Sequence, residues 1–302
     1  MSPEAVELVK PEGLKEFLAL GRDRNKDFYK SLKAAESATA TEKQYDNAFS
    51  AYNTVKKKLM ADPGNEAHRK QFLAAERKLQ DLGNVSEKKI AKAFANLRKR
   101  LINAGDEKEA KEWAALRLTI APSAAAERSD AVLRAELEEF HRLSRGKVEK
   151  TLEKLEKVKD RASASQGRKS IDIGHERTEA DAKQTLFHEA AHHVEYSDKR
   201  FFRAVDEWMH GRATSTTPVR INTAEGFEHY ADDEVYLPGN FLEPYIARQY
   251  FYPDIFGNQT RYEATEVVSM GLEYFDTSER MRYLHDNDKE MFDLMLGILE
   301  SD

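Results

Sequence analysis

The sequence contains no cysteine, and this absence rules out several kinds of site. Disulfide bonds, iron–sulfur clusters, thiolate zinc fingers and cysteine nucleophiles all need a thiol. The chain does have 9 histidines and 54 acidic residues. A transition metal, if one is bound, must therefore be held by imidazole nitrogens and carboxylate oxygens.

Long apolar runs are also absent. No run approaches the roughly 18 residues that a helix needs to cross a bilayer. The first ten residues, MSPEAVELVK, lack the basic and then apolar layout of a secretory signal. We therefore expect no membrane partner and a cytoplasmic location.

The chain lacks an excess of positive charge as well. Its 48 basic and 54 acidic residues give a formal net charge of −6, which argues against a general role in coating nucleic acid. Two short basic clusters, at 56–58 and 98–100, alternate with acidic stretches, and this alternation is typical of solvated helix surfaces. A nucleic-acid partner is therefore not expected.

Residues 1–162 show the apolar spacing of amphipathic helices. In the first clear helix, apolar side chains recur every three or four positions and mark one face. The residues of this stripe are Tyr45, Phe49, Tyr52, Val55 and Leu59. Similar stripes predict helices at 72–82 and 90–101, and a long one with apolar residues from 133 to 155. Because isolated amphipathic helices are marginal in water, we interpret this half as a helical bundle or coiled-coil arm, suited to a protein partner.

The segment 163–167, with the sequence SASQG, is small and polar, which is typical of a domain boundary. After it, aromatic, proline, glycine and histidine residues become more frequent. Short stretches at 170–173 and 218–221 predict strands. The expected fold class is thus α+β and mostly α, with a helical region at 1–162 and a second domain at 168–302.

The second half contains the pattern H-E-x-x-H inside a predicted helix from about 179 to 196. His188 and His192 are one helical turn apart, so their imidazoles can converge on one cation. Glu189 is rotated by about 100° from His188, so it can flank the metal and take a proton from water. His193 points away from that face and is interpreted as structural. The pattern indicates metal-assisted hydrolysis of an amide, with Zn²⁺ as the cofactor.

A catalytic zinc site needs a third protein ligand. A segment predicted to be helical, at 261–275, carries acidic side chains along one face. A carboxylate on a largely apolar face is costly unless it is paired or bound to a metal. We choose Glu266, because two valines follow it directly, with Glu263 as the reserve. The remaining alternatives, each more often solvent-facing or satisfied within a fold, are His175, His210, His229 and His285.

The stretches F-H-E-A-A-H-H around Glu189 and T-E-V-V-S-M-G around Glu266 resemble zincin-like metallopeptidases in which a glutamate from a later helix completes the metal site. The resemblance covers about 168–300, under half of the chain. It looks most like the zincin-like domains of phage-type head-morphogenesis proteins and of related mobile-element and toxin-like proteins, which often follow helical regions. It implies His188, His192 and Glu266 as zinc ligands and Glu189 as the general base.

The sequence departs from the best-known members of that class at one position, where Met270 stands in place of the usual aspartate. A carboxylate that orients His188 must then come from elsewhere, and Glu273 and Asp276 are candidates. A donor is also needed where negative charge develops on the scissile carbonyl. By residue type alone, the candidates for that donor are Tyr262, Tyr230 and His229.

Three functions are compatible with these residues. The first is a zinc-dependent peptidase that acts on a protein or peptide substrate, including its own chain. The second is an assembly protein of a phage-like particle, located in the virion, whose domain binds metal but cleaves little. The third is a toxin effector that cleaves a host protein. The presence of Glu189 beside both histidines favours hydrolysis, because a purely structural site does not need that glutamate.

Overall fold

The computed structural model describes residues 12–38, 42–157, 161–174, 178–253, 259–261 and 263–302. Over these residues the chain is mostly helical with small β-sheets, in agreement with the predicted class, α+β and mostly α. The helices are α1 (Leu14–Arg24), α2 (Lys26–Glu36), α3 (Glu42–Ala61), α4 (Glu66–Gly83), α5 (Val85–Ala104), α6 (Glu107–Glu112), α7 (Pro122–Glu127), α8 (Asp130–Leu143), α9 (Glu179–Ser197), α10 (Lys199–Arg212), α11 (Val267–Glu273), α12 (Ser278–Asn287) and α13 (Lys289–Glu300).

The strands of the described residues are short and form three sheets. They are β1 (Thr119–Ile120), β2 (Lys154–Lys157), β3 (Ser163–Ser165), β4 (Ser170–Ile173), β5 (Val219–Arg220), β6 (Val235–Tyr236), β7 (Arg248–Gln249), β8 (Phe251–Pro253) and β9 (Gln259–Arg261). The strand predicted at 170–173 is confirmed as β4, and the one predicted at 218–221 is confirmed over the two residues of β5. No helix among the described residues combines the length and the apolar character that a membrane span requires.

The chain divides into two compact units, and the division does not fall at the predicted boundary between 162 and 168. One unit comprises residues 25–97. The other combines the described residues up to Arg24 with 98–302. Residues 98–157 therefore belong with the C-terminal half and not with a separate helical arm.

The unit at 25–97 is helical, and its three longest helices match the predicted ones, α3, α4 and the first part of α5. Asn65 ends the turn after α3 and caps α4, because its side chain accepts hydrogen bonds from the N–H groups of Ala67 and His68. Tyr52 and Phe72 pack against each other with ring centroids 5.2 Å apart. The apolar stripes thus pair helix with helix inside this unit.

The predicted long helix through 155 is wrong beyond Leu143, where α8 ends. Arg145 and Gly146 have positive φ angles of 51° and 75°, which terminates the helix in the manner of a C-terminal glycine. A 3₁₀ turn and then β2 follow, so Leu155 is fully buried in a strand. The apolar spacing of three and four residues continued past the glycine by coincidence, and this produced the error.

A four-stranded sheet in the larger unit pairs strands from 119–157 with strands from 163–173, in the strand order β1-β2-β4-β3. β1, β2 and β4 are parallel, and β3 pairs antiparallel with β4 at one edge. The segment expected to be a linker at 163–167 therefore contains a strand. Small polar side chains suit it because an edge strand buries little surface.

The N-terminal helix α1 packs closely against the C-terminal helix α13. A Cβ atom on Gly297 would lie 2.0 Å from the Phe17 carbonyl oxygen, and one on Gly21 would lie 2.1 Å from the Asp293 carbonyl oxygen. Glycine permits this approach of two helix backbones because it has no Cβ. Phe17 also packs edge-on against Phe201, with ring centroids 5.6 Å apart. The first helix is therefore part of the core of the larger unit.

Candidate metal centre

Helix α9 carries the H-E-x-x-H pattern and begins where the sequence predicts. The Thr178 hydroxyl accepts a hydrogen bond from the backbone N–H of Asp181, so the helix begins at Glu179. His188 and His192 follow one turn apart, and their ring centroids are 5.2 Å apart. Both imidazoles therefore project from the same face of one buried helix.

Glu266 lies directly before α11, and a buried glutamate of α9 holds that segment in place. Glu195 accepts hydrogen bonds from the Thr265 backbone N–H at 2.9 Å and from its hydroxyl at 3.0 Å. The next residue, Glu266, is 1% exposed, and Ser269 donates a hydrogen bond of 2.7 Å to its Oε2 atom. These contacts place the Glu266 carboxylate against α9, although Glu266 follows His192 by 74 positions in the sequence.

The two imidazoles and this carboxylate meet at one point. Glu266 Oε2 lies 3.1 Å from His188 Nε2 and 3.3 Å from His192 Nε2. One ligand atom from each of the three residues lies within 4.8 Å of the others. Zinc ligands at about 2.0–2.2 Å in a tetrahedron stand roughly 3.3–3.6 Å apart. The donor atoms are thus of the right type and at nearly the right separation to hold such an ion.

A second carboxylate orients the first histidine. Glu273 Oε2 lies 2.9 Å from His188 Nδ1, and of the two predicted candidates it is Glu273, not Asp276, that makes this contact. Glu273 Oε1 accepts hydrogen bonds from Gln184 Nε2 at 2.8 Å and from Arg280 Nη2 at 2.9 Å. A carboxylate on Nδ1 fixes the ring and leaves Nε2 for a metal, which is the usual arrangement around metal-binding histidines.

The buried charges of this cluster depend on one another. Burial by itself would raise the pKa of Glu266, but His192 and His188 outweigh it and hold the pKa well below its ordinary value. Burial lowers the pKa of His188, but hydrogen bonds to Glu266 and Glu273 reverse this and raise the pKa well above its ordinary value. Protons or a metal ion must therefore neutralise the carboxylates, and a metal would release protons as it binds.

The other candidate histidine on α9, His193, faces away from this point, as expected. Its Nδ1 lies 3.1 Å from the Thr151 hydroxyl and its Nε2 lies 3.2 Å from the Ser170 carbonyl oxygen. Burial lowers the pKa of His193 to about 4. His193 is thus a structural, neutral histidine. By contrast, the buried Nδ1 of His192 has no hydrogen-bond partner among the residues that the structure describes.

Glu189 shares a cavity with the three candidate ligands. The cavity has a volume of about 550 Å³, and Glu189, His188, His192 and Glu266 all line it. Glu189 is 6% exposed, and burial raises the pKa of its carboxyl above the ordinary value, which the nearby histidines oppose only in part. A carboxyl with a raised pKa that faces a metal site is suited to exchange protons with water.

Sequence reasoning missed the aromatic and basic side chains of this cavity. Tyr245, Arg248 and Tyr250 line it, together with Arg161. The Tyr250 hydroxyl donates a hydrogen bond to Glu266 Oε1, and Arg248 Nη1 lies 3.8 Å from the same oxygen. These residues lie in a short 3₁₀ helix, a short strand and irregular segments, so no periodicity could have identified them.

The remaining sequence candidates lie elsewhere. The Glu263 side chain is 70% exposed and pairs with Lys199, with 3.6 Å between the charged atoms, so it does not reach the site. Neither His229 nor Tyr230 is among the residues that line the cavity. Two further histidines pair with aspartates in their own helices. These are His210 and His285. His175 and Tyr262 lie outside the described residues.

A second cavity, of about 400 Å³, adjoins the first and shares Ala162 and Glu189 with it. Its wall includes the apolar side chains of Val132, Ile173 and Leu186. The described part of the chain therefore offers space on two sides of Glu189.

A comparison of this chain with family models, with curated proteins and with solved structures found no match.

Proposed function

We propose that this protein is a zinc-dependent peptidase that hydrolyses peptide bonds. The observation that carries the proposal is the position of Glu266 Oε2, which lies 3.1 Å from His188 Nε2 and 3.3 Å from His192 Nε2. The buried carboxyl of Glu189 lies beside these atoms. Two imidazoles and one carboxylate are a ligand set that suits zinc and leaves a position for water or substrate. The same residues match the resemblance to zincin-like metallopeptidases.

Each residue has a distinct role in the proposed reaction. Zinc would supply a Lewis acid, which polarises a carbonyl and lets water lose a proton near neutral pH. Glu189 accepts that proton as the water oxygen bonds to the scissile carbon, and then gives it to the leaving nitrogen as the C–N bond breaks. The raised pKa of Glu189 suits a group that must act first as a base and then as an acid.

Tyr250 is the best-placed donor for the negative charge that develops on the carbonyl oxygen. It lines the cavity, and its hydroxyl contacts the ligand carboxylate of Glu266. Burial raises its pKa well above the ordinary value of tyrosine, so the hydroxyl keeps its proton. That single O–H is donated to Glu266 Oε1 in the structure, so it must turn from this carboxylate to the carbonyl oxygen when a substrate binds. It takes the place of Tyr230 and His229, which do not line the cavity, and Tyr262 lies outside the described residues.

An extended peptide has a binding edge beside the ligands. β3 is the edge strand of the four-stranded sheet, and all three of its residues line the cavity with His188 and Glu189. A peptide can pair with such an edge through its backbone, which gives affinity with little dependence on sequence. This supports a protein or peptide substrate.

The proposal is tested by zinc content and by cleavage. We expect one zinc per chain by elemental analysis, and loss of zinc in His192→Asn. The adjacent variant His193→Asn is the matched control and should keep its zinc. We expect wild type to cleave casein, a peptide library or its own chain, and Glu189→Gln to bind zinc but lose at least about 100-fold in rate, the lower range for a general base.

Full proteolysis by Glu189→Gln would contradict the mechanism. Zinc binding without cleavage by either protein would instead support an assembly role, the second candidate function. One observation favours that candidate, because the helical unit at 25–97 exposes large apolar side chains that suit a protein partner. The exposed side chains are Tyr45, Phe49, Met60 and Leu73.

A further inference from the structure

The cavity of the candidate metal centre has a surplus of positive charge once a divalent cation is bound. Arg161 and Arg248 line it together with three carboxylates, those of Glu189, Glu234 and Glu266. The cation and the two guanidinium groups carry four positive charges, so the three carboxylates leave one in excess. With its metal in place, the cavity favours a ligand that carries negative charge.

Arg248 is already committed to the protein. Its side chain is 18% exposed. Nη2 lies 2.6 Å from Glu234 Oε1, and Nη1 donates a hydrogen bond of 2.8 Å to the Tyr245 hydroxyl. Its guanidinium lies over the Tyr250 ring, 4.5 Å from the centroid. Arg248 therefore supports the cavity wall, and it is not the group that meets the ligand.

Arg161 is held in place but remains accessible. Its side chain is 53% exposed, and its guanidinium stacks over two rings, 4.8 Å from the centroid of Tyr245 and 5.3 Å from that of Tyr230. It donates a hydrogen bond to the Tyr245 hydroxyl, and Nη1 lies 3.5 Å from Glu234 Oε1. Among the residues that the structure describes, these contacts engage two of its five N–H groups. A stacked guanidinium with donors to spare is preorganised for a carboxylate.

The position of Arg161 limits where on a substrate that carboxylate can lie. Through Tyr245 and Arg248, its guanidinium is within roughly 9 Å of Glu266 Oε1, a span that two or three extended residues cover. Arg161 also stands two residues before β3. A peptide paired antiparallel with β3 runs in the opposite direction, so its C-terminal residues pass Arg161.

We propose that Arg161 binds a carboxylate of the substrate one to three residues on the C-terminal side of the bond that is cut. The carboxylate is either the terminal one of a short peptide or that of an aspartate or glutamate side chain. This inference rests on the proposed function, since it concerns the substrate of the same metal site. It assigns to the protein a preference for acidic or C-terminal segments.

The test measures binding to the zinc-loaded Glu189→Gln protein, so that it does not depend on turnover. Three pools of N-acetylated tetrapeptides are titrated by calorimetry. The first has neutral side chains and a free C-terminal carboxylate, the second has the same side chains and a C-terminal amide, and the third has the amide and one glutamate. We expect the first or the third pool to bind about tenfold more tightly than the second, the value of a charge-assisted contact.

Variants of Arg161 then assign the preference to this side chain. In the Glu189→Gln background, Arg161→Gln should abolish the difference between the pools, and Arg161→Lys should keep part of it. Arg117→Gln is the matched control, since Arg117 is 55% exposed, pairs with Glu149 and does not line the cavity. The control should bind all three pools like its parent.

Each outcome decides the inference. Preference for the first pool identifies a terminal carboxylate, and preference for the third identifies an acidic side chain. Equal binding of all pools, no binding at millimolar concentration, or a preference that survives Arg161→Gln would overturn it. Failure of the Glu189→Gln protein to take up zinc would instead overturn the proposed function, and this is measured before any peptide is added.

Discussion

Replacement of Glu273 by glutamine should weaken zinc binding through the protonation state of His188. In the wild type, Glu273 Oε1 accepts hydrogen bonds from Gln184 and Arg280, and Oε2 faces His188 Nδ1. The glutamine must keep its carbonyl oxygen toward the two donors, so its NH₂ group faces Nδ1. Nδ1 then has to accept, and the ring proton moves to Nε2, the atom that would bind the metal.

The expected loss is about 10–100-fold in zinc affinity, the usual effect of losing a carboxylate behind a metal-binding histidine. That range corresponds to about 1.4–2.8 kcal/mol. The fold should survive, because the variant keeps the shape of the side chain and its three hydrogen bonds, with only the one to His188 reversed in direction. Zinc affinity is measured by competition with a chromophoric chelator, and circular dichroism checks the fold.

Glu263→Gln provides the matched control for this measurement. Its side chain is 70% exposed and pairs with Lys199, so its zinc affinity should equal that of the wild type. An unchanged affinity in a folded Glu273→Gln protein would refute the reasoning about His188. A loss of affinity in Glu263→Gln would refute the choice of Glu266 as the third ligand.

Three further predictions follow from the packing around the site. Glu195→Ala removes both acceptors of the buried Thr265, so urea unfolding should show a loss of about 1–3 kcal/mol, and zinc affinity should fall because the next residue is the proposed ligand. Burial lowers the pKa of His193 to about 4, so between about pH 6.5 and 4 the unfolded chain binds a proton that the folded chain does not. The free energy of unfolding should therefore decrease as the pH is lowered through this window, by up to about 3 kcal/mol from this group. In EDTA, His193→Asn should lose that part of the pH dependence. Gly297→Ala should cost about 1–3 kcal/mol by overpacking against α1 and should expose α1 to proteolysis, whereas Gly211→Ala, with no atom within 4 Å of its added Cβ, should not.

The helix α9 and the placement of its histidines could be predicted because they depend on local spacing alone. A cap at Thr178 and an interval of four residues set which side chains share a face, whatever the rest of the chain does. Glu266 was chosen from the apolar residues beside it, and the structure places it beside both imidazoles. Its neighbour Glu195, which holds that segment in place, gave no signal, because a glutamate on a helix is usually exposed.

The region between α8 and β3 shows where local reasoning failed. The stretch after Leu143 kept a helical apolar spacing, but Gly146 ended the helix, and the next residues joined a sheet. The small polar residues at 163–167 were interpreted as a linker, but they include the edge strand. Strand partners are chosen by packing between distant segments, which a periodicity of two to four residues does not encode.

By itself, the sequence determined the mostly helical class, the absence of thiol chemistry and the face of α9 that carries His188, Glu189 and His192. Only the tertiary structure decided that Glu273 orients His188 and that Arg161 lies at the same cavity. The physical reason is one of range. Backbone periodicity and capping act over a few residues, whereas convergence of side chains from segments about 85 positions apart depends on the packing of the whole core.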